Sequence, residues 1–187
     1  MNDGQTRPVV LAFAGPNGSG KTTIKRGLSI LGTYVNADDL KAEYNLTDIE
    51  AARQAELLRN KLLESRADFS FETVLSTERN LLLLQRAKAQ GYEVQCIYVL
   101  TCDENINVAR VRARYASGGH DVPEDKIRVR YHRALALLPR VIDVCDKILV
   151  YDNSDVPELI FSKEKGHAKI FPNKYWPESR LRNLLAP

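Results

Sequence analysis

A short glycine-rich segment near the start of the chain has the residue types needed to bind phosphate. It matches the pattern G-x-x-x-x-G-K-[ST] at every position and consists of Gly15, Pro16, Asn17, Gly18, Ser19, Gly20, Lys21 and Thr22. In this pattern main-chain N–H groups turn towards phosphate oxygens, Lys21 reaches the β- and γ-phosphates, and the Thr22 hydroxyl binds Mg²⁺. The segment lies between an apolar run and a predicted helix start, whose positive end favours an anion. We predict binding of a nucleoside triphosphate with Mg²⁺ rather than a turn without a ligand. The chain has no NKxD-like guanine signature, which favours ATP over GTP.

Two carboxylates, Asp38 and Asp39, directly follow a short predicted strand at residues 33–36. An acceptor would approach the γ-phosphate at this position, and transfer to a hydroxyl needs a carboxylate that accepts the proton and orients the nucleophile. The alternative is that Asp38 caps the next helix while Asp39 lies in its first turn, where acidic residues are favoured. The spacing alone does not distinguish the catalytic role from the role at the helix start. One of the two aspartates can have the first role while the other has the second.

Glu72 is a charged residue near the end of an otherwise apolar predicted strand at residues 68–75. A carboxylate in such a place is costly unless it is paired or reaches the edge of the sheet. Glu72 is therefore a candidate to bind acceptor hydroxyls or a Mg²⁺-bound water. The alternative is a solvated strand end.

Basic residues are concentrated in two predicted helices that span residues 104–142. They are Arg110, Arg112, Arg114, Lys126, Arg128, Arg130, Arg133 and Arg140. Arg110 and Arg114 share one helix face, and arginine suits the charge that develops on a transferring phosphoryl group. We expect a mobile lid of which only two or three arginines contact the ligand. His120, in the connecting loop, is a candidate phosphate contact, although a lone loop histidine usually has no such role.

The elements that must position these residues alternate between strand and helix. Strands are predicted at residues 8–14, 33–36, 68–75, 94–100 and 147–151, separated by segments of helix length, one of which begins with a capping box at residues 47–50. This alternation predicts an α/β fold, a mainly parallel sheet with helices on both faces, and ligands beyond the carboxyl ends of its strands. We expect one domain over residues 1–187, with an extension of two weaker strands and a helix over about 155–187. Pro139 is expected to kink or shorten its helix.

The composition of the chain argues against several classes of protein. The chain has 187 residues, 44% of them hydrophobic and 27% charged, and a net charge of +3, which is too balanced for nucleic-acid binding by charge alone. No apolar run approaches the roughly 20 residues of a membrane helix, and the polar N-terminus does not resemble a secretory signal. Cys96, Cys102 and Cys145 have no metal or disulfide spacing. We expect a soluble cytoplasmic protein with idle thiols.

The motifs in this order resemble the zeta-toxin family of P-loop kinases. The resemblance runs from about Val9 to Ser154 and rests on GPNGSGKTT (15–23), VNADDLKAE (35–43), FSFETVLS (69–76), ARVRARYASGGHDVP (109–123), IRVRYHRAL (127–135) and YDNS (151–154). It implies a P-loop kinase fold with a helical, arginine-bearing lid. It also implies consumption of ATP with Mg²⁺, and phosphorylation of the 3′-hydroxyl of a UDP-amino sugar in the best-known members. Residues 73–76 depart from the family's Gly/Thr/Arg-rich stretch, so the resemblance predicts the chemistry more strongly than the acceptor.

Matched positions carry candidate roles over to this chain. Asp38 would be the general base, Lys21 and Thr22 the phosphate and magnesium contacts, and Glu72 a ligand of the acceptor. Arg110 or Arg114 would be the lid arginine, with His120 at or beside a second one. The remaining candidates are Thr23 for phosphate, Asn153 near the adenine, and Asp39, Thr73 and Arg128 for the acceptor. The partners implied are a small hydroxyl acceptor and an antitoxin protein.

Two other functions remain open at this point. A polynucleotide or RNA-end kinase would use the arginine-rich helices on a nucleic-acid backbone, although the modest charge and the lack of interleaved aromatic residues disfavour it. A nucleotide-gated binding module would bind ATP without an acceptor.

Overall fold

One seven-stranded sheet organises the fold and carries helices on both faces. A computed structural model describes residues 7–119 and 121–186. Within these residues the strands are β1 (Val9–Ala14), β2 (Thr33–Val35), β3 (Phe69–Thr73), β4 (Glu93–Leu100), β5 (Lys147–Asp152), β6 (Glu158–Glu164) and β7 (His167–Ile170). The helices are α1 (Lys21–Lys25), α2 (Ala37–Tyr44), α3 (Asp48–Glu64), α4 (Glu78–Ala89), α5 (Glu104–Ala116), α6 (Glu124–Val144) and α7 (Glu178–Leu185).

The strand order is β2-β3-β1-β4-β5-β6-β7. Neighbours from β2 to β5 pair in parallel, whereas β6 and β7 add antiparallel strands at one side. Parallel strands end at the same edge of the sheet, so the residues that follow β1, β2, β3, β4 and β5 can meet there. The predicted α/β architecture is confirmed, and this edge carries the predicted phosphate loop and the candidate acids.

Alternating side chains of the strands build a core on each face of the sheet. On one face, residues such as Val10, Phe71 and Tyr98 pack with buried side chains of α3, α4, α6 and α7. On the other face, Phe13 and Val99 belong to a smaller cluster that includes Ile24 of α1. A strand that is buried on both faces must be almost wholly apolar, which explains the composition of β1 and β4.

Two helices differ from the sequence prediction in length. The sequence predicts that helix α1 reaches residue 31, but it ends at Lys25, because a tight turn follows in which the Gly27 N–H donates to the Ile24 carbonyl oxygen (3.1 Å). A glycine at this point makes further helix costly in backbone entropy. The sequence predicts that Pro139 kinks or shortens its helix; shortening is wrong, since α6 continues to Val144, and a kink stays a prediction. Pro139 is itself buried among apolar residues of α6, and this packing offsets the missing hydrogen bond.

Two other local predictions, the capping box and the strands and helix of the tail, agree with the structure. The capping box at Thr47 and Glu50 begins α3, and the tail forms β6, β7 and α7 as expected. The three cysteines are free thiols. Among residues 7–119 and 121–186, no helix combines the length and apolarity that crossing a bilayer requires, and no cluster of side chains there could hold a metal ion by itself.

Candidate active site

The predicted phosphate loop connects β1 to α1 at the carboxyl edge of the sheet. Two of its glycines have left-handed backbone conformations and lie against neighbouring segments. A Cβ on Gly18 would lie 2.5 Å from the Asn107 carbonyl oxygen, and a Cβ on Gly20 would lie 2.0 Å from Asn153 Nδ2. Any larger residue would have to displace these neighbours as well as adopt an unfavourable φ. The glycines are therefore required by the packing of the loop.

Two buried asparagines outside the motif hold the loop in place. Asn107 Nδ2, on α5, donates to the Asn17 carbonyl oxygen (2.6 Å), and its Oδ1 accepts from the Thr101 hydroxyl. Asn153 Nδ2, directly after β5, donates to the Ser19 carbonyl oxygen (2.8 Å). Since buried carbonyl groups need hydrogen-bond donors, these amides stabilise a loop that has few contacts of its own.

The loop lysine is folded back along the loop. Lys21 is buried, and its Nζ donates to the carbonyl oxygens of Gly15 (2.8 Å) and Pro16 (3.2 Å). Thr22 and Thr23 follow it in the first turn of α1 and are exposed. Within the described part of the chain, the Thr22 hydroxyl has no hydrogen-bond partner, so its oxygen is available to an outside ligand.

The charges around Lys21 come from three other elements. Burial lowers the pKa of Lys21, the negative charges of Glu72 and Asp38 oppose this shift, and the positive charge of Arg114 adds to it. Four candidate residues identified from the sequence are thus close enough to influence one another electrostatically. The structure brings them together from α1, α2, β3 and α5.

Asp38 and Asp39 both lie in the first turn of α2, where acidic residues are favoured. The alternative in which Asp38 caps this helix is wrong, because Asn36 is the cap and its Oδ1 accepts from the Asp38 N–H (3.0 Å). The Asp38 carboxylate is therefore not used in capping. Asp38 lines a cleft that also contains Lys21, whereas Asp39 is exposed and does not line it.

Glu72 belongs to a chain of polar contacts on the α1 side of the sheet. Its carboxylate accepts from the Tyr34 hydroxyl (3.0 Å) and lies 3.7 Å from Lys25 Nζ. Lys25 in turn donates to the Tyr34 oxygen (2.6 Å). Burial, and next the Glu72 charge, raise the pKa of Tyr34, which keeps it a proton donor. Glu72 is paired and only partly exposed, so it is not a freely solvated strand end.

Thr73, the last residue of β3, links the turn after this strand to the phosphate loop. Its main-chain oxygen accepts from the Gly15 N–H (3.2 Å). Its hydroxyl oxygen accepts from the Leu75 N–H (3.0 Å) and from Asn80 Nδ2 (2.7 Å). The hydroxyl therefore organises the turn after β3, and Thr73 also lines the cleft.

The two candidate lid arginines point to different places. Arg114 lines the cleft and lies within electrostatic range of Lys21. Arg110 does not line the cleft and donates instead to the carbonyl oxygens of Asn153 (2.7 Å) and Ser154 (3.3 Å). Arg110 thus braces the segment that supports the phosphate loop.

Arg128 and His120 are the other candidates between residues 104 and 142. The Arg128 guanidinium contacts Glu104 (2.6 Å) and Glu124 (2.7 Å), and it does not line the cleft. The pair with Glu104 joins α5 to α6, whereas the pair with Glu124 lies within α6. His120 lies outside the described residues.

The cleft at the carboxyl edge of the sheet has a volume of about 820 Å³. Its walls come from the phosphate loop, α2, α3, the turn after β3 with the start of α4, and the helices α5 and α6. The charged side chains that line it are Lys21, Asp38, Lys41, Asp48, Arg59, Glu72, Glu78, Arg79, Arg114, Asp121 and Arg130. Five acidic and six basic groups thus line one space, whose size suits a nucleotide with a second small molecule.

Sequence reasoning gives no role to several residues of this cleft. Arg130 lines it and donates to Asn17 Oδ1 (3.3 Å). Arg59 lines it as a buried residue of α3, in the series Ala51, Ala55, Arg59 and Leu63, whose spacing of four residues places it on the buried helix face. That spacing could have identified Arg59 from the sequence. No such signal exists for Asn107, because an asparagine within a helix does not indicate a distant hydrogen-bond partner.

Comparisons with known proteins agree with this architecture. The family model described as Zeta toxin matches residues 33–165, more than half of the chain. An uncharacterized protein of Haemophilus influenzae is 31% identical over 125 residues, which cover 64% of this chain and 89% of that protein.

Solved structures with the same fold are more distant in sequence. A chain of the AvrRxo1-ORF1:-ORF2 complex with ATP superposes with a TM-score of 0.69 at 18% identity, over 89% of this chain and 61% of that one. The chain thus spans less than two thirds of that AvrRxo1 chain. A chain of the PezAT chromosomal toxin–antitoxin system of Streptococcus pneumoniae gives a TM-score of 0.59 at 19% identity, over 99% of this chain and 90% of that one. These neighbours identify the fold as that of the P-loop kinase-like zeta toxins.

Proposed function

Because the chain belongs to the zeta toxin family, we propose that it is an ATP- and Mg²⁺-dependent phosphotransferase acting on a hydroxyl group of a small acceptor, with a UDP-amino sugar as the first candidate. One observation carries the proposal: a single cleft is lined by Lys21 of the phosphate loop, the Asp38 carboxylate and Arg114. Phosphoryl transfer depends mainly on positioning and charge neutralisation, and these are the groups it needs.

Each group has a defined part in the reaction. Asp38 accepts the proton of the acceptor hydroxyl as its oxygen forms a bond to the γ-phosphorus, and the bond from that phosphorus to the bridging oxygen breaks to release ADP. Lys21 exchanges its contacts with two carbonyl oxygens for contacts with phosphate, and Arg114 stabilises the charge on the transferring group. Glu72, which lines the same cleft, binds the acceptor.

The loop and α1 fit a nucleotide with its metal ion. The Thr22 hydroxyl is exposed and lacks a partner among the residues described, which makes it the candidate magnesium ligand from this chain. A Mg²⁺ ion held there would supply positive charge against the negative charge of the phosphates. The Asn153 amide is occupied by the Ser19 carbonyl oxygen, so we assign Asn153 to supporting the loop. A contact between Asn153 and adenine stays a prediction.

Incubation with γ-labelled ATP and a fractionated metabolite extract, followed by mass analysis, tests the proposal. The wild type should transfer label to a small molecule. Asp38→Asn should lower turnover by about 10²- to 10⁴-fold with an unchanged Kd for ATP. Glu43→Gln is the matched control, since Glu43 is an exposed acid of the same helix that does not line the cleft. Equal turnover of Asp38→Asn and wild type would remove Asp38 from the mechanism, and tight ATP binding without any product would favour a binding module.

An antitoxin protein is a candidate partner, because the PezAT structure comes from a toxin–antitoxin system with the same fold. If this holds, expression of the chain alone should arrest cell growth and expression of Lys21→Ala should not. Equal growth with both would argue against toxicity.

A further inference from the structure

The cleft contains a buried arginine that has neither an acidic partner nor a hydrogen-bond acceptor among the described residues. Arg59, on α3, is only 7% exposed and lines the cleft. Its Nε has no hydrogen-bond partner, and no carboxylate of residues 7–119 or 121–186 lies within ion-pair distance of its guanidinium. A buried charge without a partner is among the costliest features of a protein interior. Such a group is expected where a ligand supplies the missing charge.

The surroundings of Arg59 do not neutralise it. Its guanidinium carbon lies 5.3 Å from the centre of the Phe71 ring, which fixes the side chain but offers no acceptor. Burial lowers the pKa of Arg59, the charge of Glu56 opposes this shift, and the charge of Arg79 adds to it. Glu56 itself lies 3.3 Å from Arg79. The nearest acid is therefore already paired with another arginine.

A second, independent feature lines the same cleft. Residues 76–80, at the start of α4, belong to its wall, and Arg79 and Asn80 also line a smaller pocket together with Arg59. This helix has 12 residues, and its N-cap Thr77 makes no side-chain capping hydrogen bond. The first-turn acid Glu78 contacts Arg140, which balances its charge. Free N–H groups at a helix start attract anions, and here they share the cleft wall with Arg59.

We propose that Arg59 and the first turn of α4 form a subsite that binds an anionic group, phosphate or carboxylate, on the acceptor. The inference rests on the proposed function and deepens it, since it assigns the residues that bind a charged group of the acceptor. Arg59 acts as a positioning and specificity residue, while Asp38 and Lys21 act on the reacting groups. No covalent step occurs at this subsite.

The first experiment observes Arg59 directly. In the ¹⁵N-labelled full chain, the Nε–H signal of Arg59 is assigned by its loss in Arg59→Lys. Inorganic phosphate and acetate are then titrated in parallel, against sodium chloride at equal ionic strength. We expect a saturable shift of the Arg59 signal with one or both anions and none in the signal of Arg53, an exposed arginine of the same helix. An Arg59 signal that responds to neither anion overturns the proposal, whether or not the chain is a kinase.

The second experiment measures transfer. Extract is separated on an anion-exchange resin, and the retained and unretained fractions are each incubated with γ-labelled ATP. Label should enter the retained fraction, and Arg59→Met should lower kcat/KM about 10- to 100-fold, mainly through KM. Arg59→Lys should restore part of this loss, whereas Arg53→Met should have no effect. Transfer to unretained compounds with full activity in Arg59→Met overturns the subsite but not the kinase.

A stability measurement separates binding from a structural role. Removal of an unpartnered buried charge should leave Arg59→Met as stable as the wild type or more stable. If Arg59→Met is destabilised and Arg59→Lys shows unimpaired transfer, Arg59 is a structural residue.

Discussion

The fit between Gly20 and Asn153 leads to a sharp prediction about how the phosphate loop is held. In Gly20→Ala the new methyl group would lie 2.0 Å from Asn153 Nδ2, at a residue whose φ is +90°. The amide must move away and lose its hydrogen bond to the Ser19 carbonyl oxygen. In Asn153→Ala the same hydrogen bond is lost without a clash. The two substitutions therefore damage one shared contact.

The magnitudes follow from the two separate effects. The left-handed backbone of a non-glycine residue costs about 1–2 kcal/mol, and a buried carbonyl left without a donor costs about 1–3 kcal/mol. Asn153→Ala should thus lower the free energy of unfolding by about 1–3 kcal/mol, and Gly20→Ala by about 2–5 kcal/mol. The double variant loses the hydrogen bond only once, so its loss should be smaller than the sum by about 1–3 kcal/mol.

Urea denaturation of the four proteins measures this coupling. Gly118→Ala is the matched control, because Gly118 has a φ of +87° but a Cβ added there would meet nothing within 4 Å, so only the backbone effect remains. The Kd for ATP should rise in Gly20→Ala and Asn153→Ala and stay unchanged in Gly118→Ala. If the two single effects add to within about 0.5 kcal/mol, the contact does not hold the loop and this reasoning is wrong.

Two further predictions concern Lys21 and Asn36. Because the pKa of Lys21 is lowered in the folded protein, the unfolded chain binds more protons between that pKa and 10.5. The free energy of unfolding of the wild type, measured relative to Lys21→Met, should therefore rise as the pH increases towards 10.5. It should fall as the pH drops through the lowered pKa. Urea denaturation from neutral to alkaline pH checks this, and an opposite trend contradicts it. Asn36→Ala removes the cap of α2 and should cost about 0.5–2 kcal/mol, while Asn36→Asp keeps an acceptor and should cost less. Turnover should also fall in Asn36→Ala, because the Asn36 cap positions Asp38. Unchanged turnover in this variant would show that the cap does not position Asp38.

Local features of this chain can be predicted from its sequence, whereas long-range partners cannot. The phosphate loop is predictable because its glycines and lysine act within one turn of backbone. The capping box at Thr47 is predictable for the same reason, since both partners lie three residues apart. By contrast, Asn107 lies 90 residues from Asn17, and Asn153 lies 134 residues from Ser19. Only the strand order brings them together, and no spacing along the chain records it.

Tertiary packing also overrides local preference. Local preference predicts that Pro139 kinks or shortens α6, but the helix continues to Val144 with Pro139 buried among apolar neighbours. Arg59 receives no role from the sequence, although its spacing from Ala51, Ala55 and Leu63 places it on the buried face of α3. A charge in such a position is informative, because it needs an acidic or hydrogen-bonding partner and the described part of the chain does not supply one.

The two halves of the cleft are held in different ways, and this difference has consequences for function. The half proposed to bind the nucleotide is held by hydrogen bonds from Asn107 and Asn153 to the phosphate loop and from the Gly15 N–H of the loop to β3. The half proposed to bind the acceptor contains the exposed Asp38 at a helix start and Arg59, which has no acidic or hydrogen-bonding partner among the described residues. Substitutions that loosen the first half should therefore lower stability and ATP affinity together. Substitutions in the second half should alter turnover or acceptor choice at nearly constant stability, which is where members of one fold can differ in substrate.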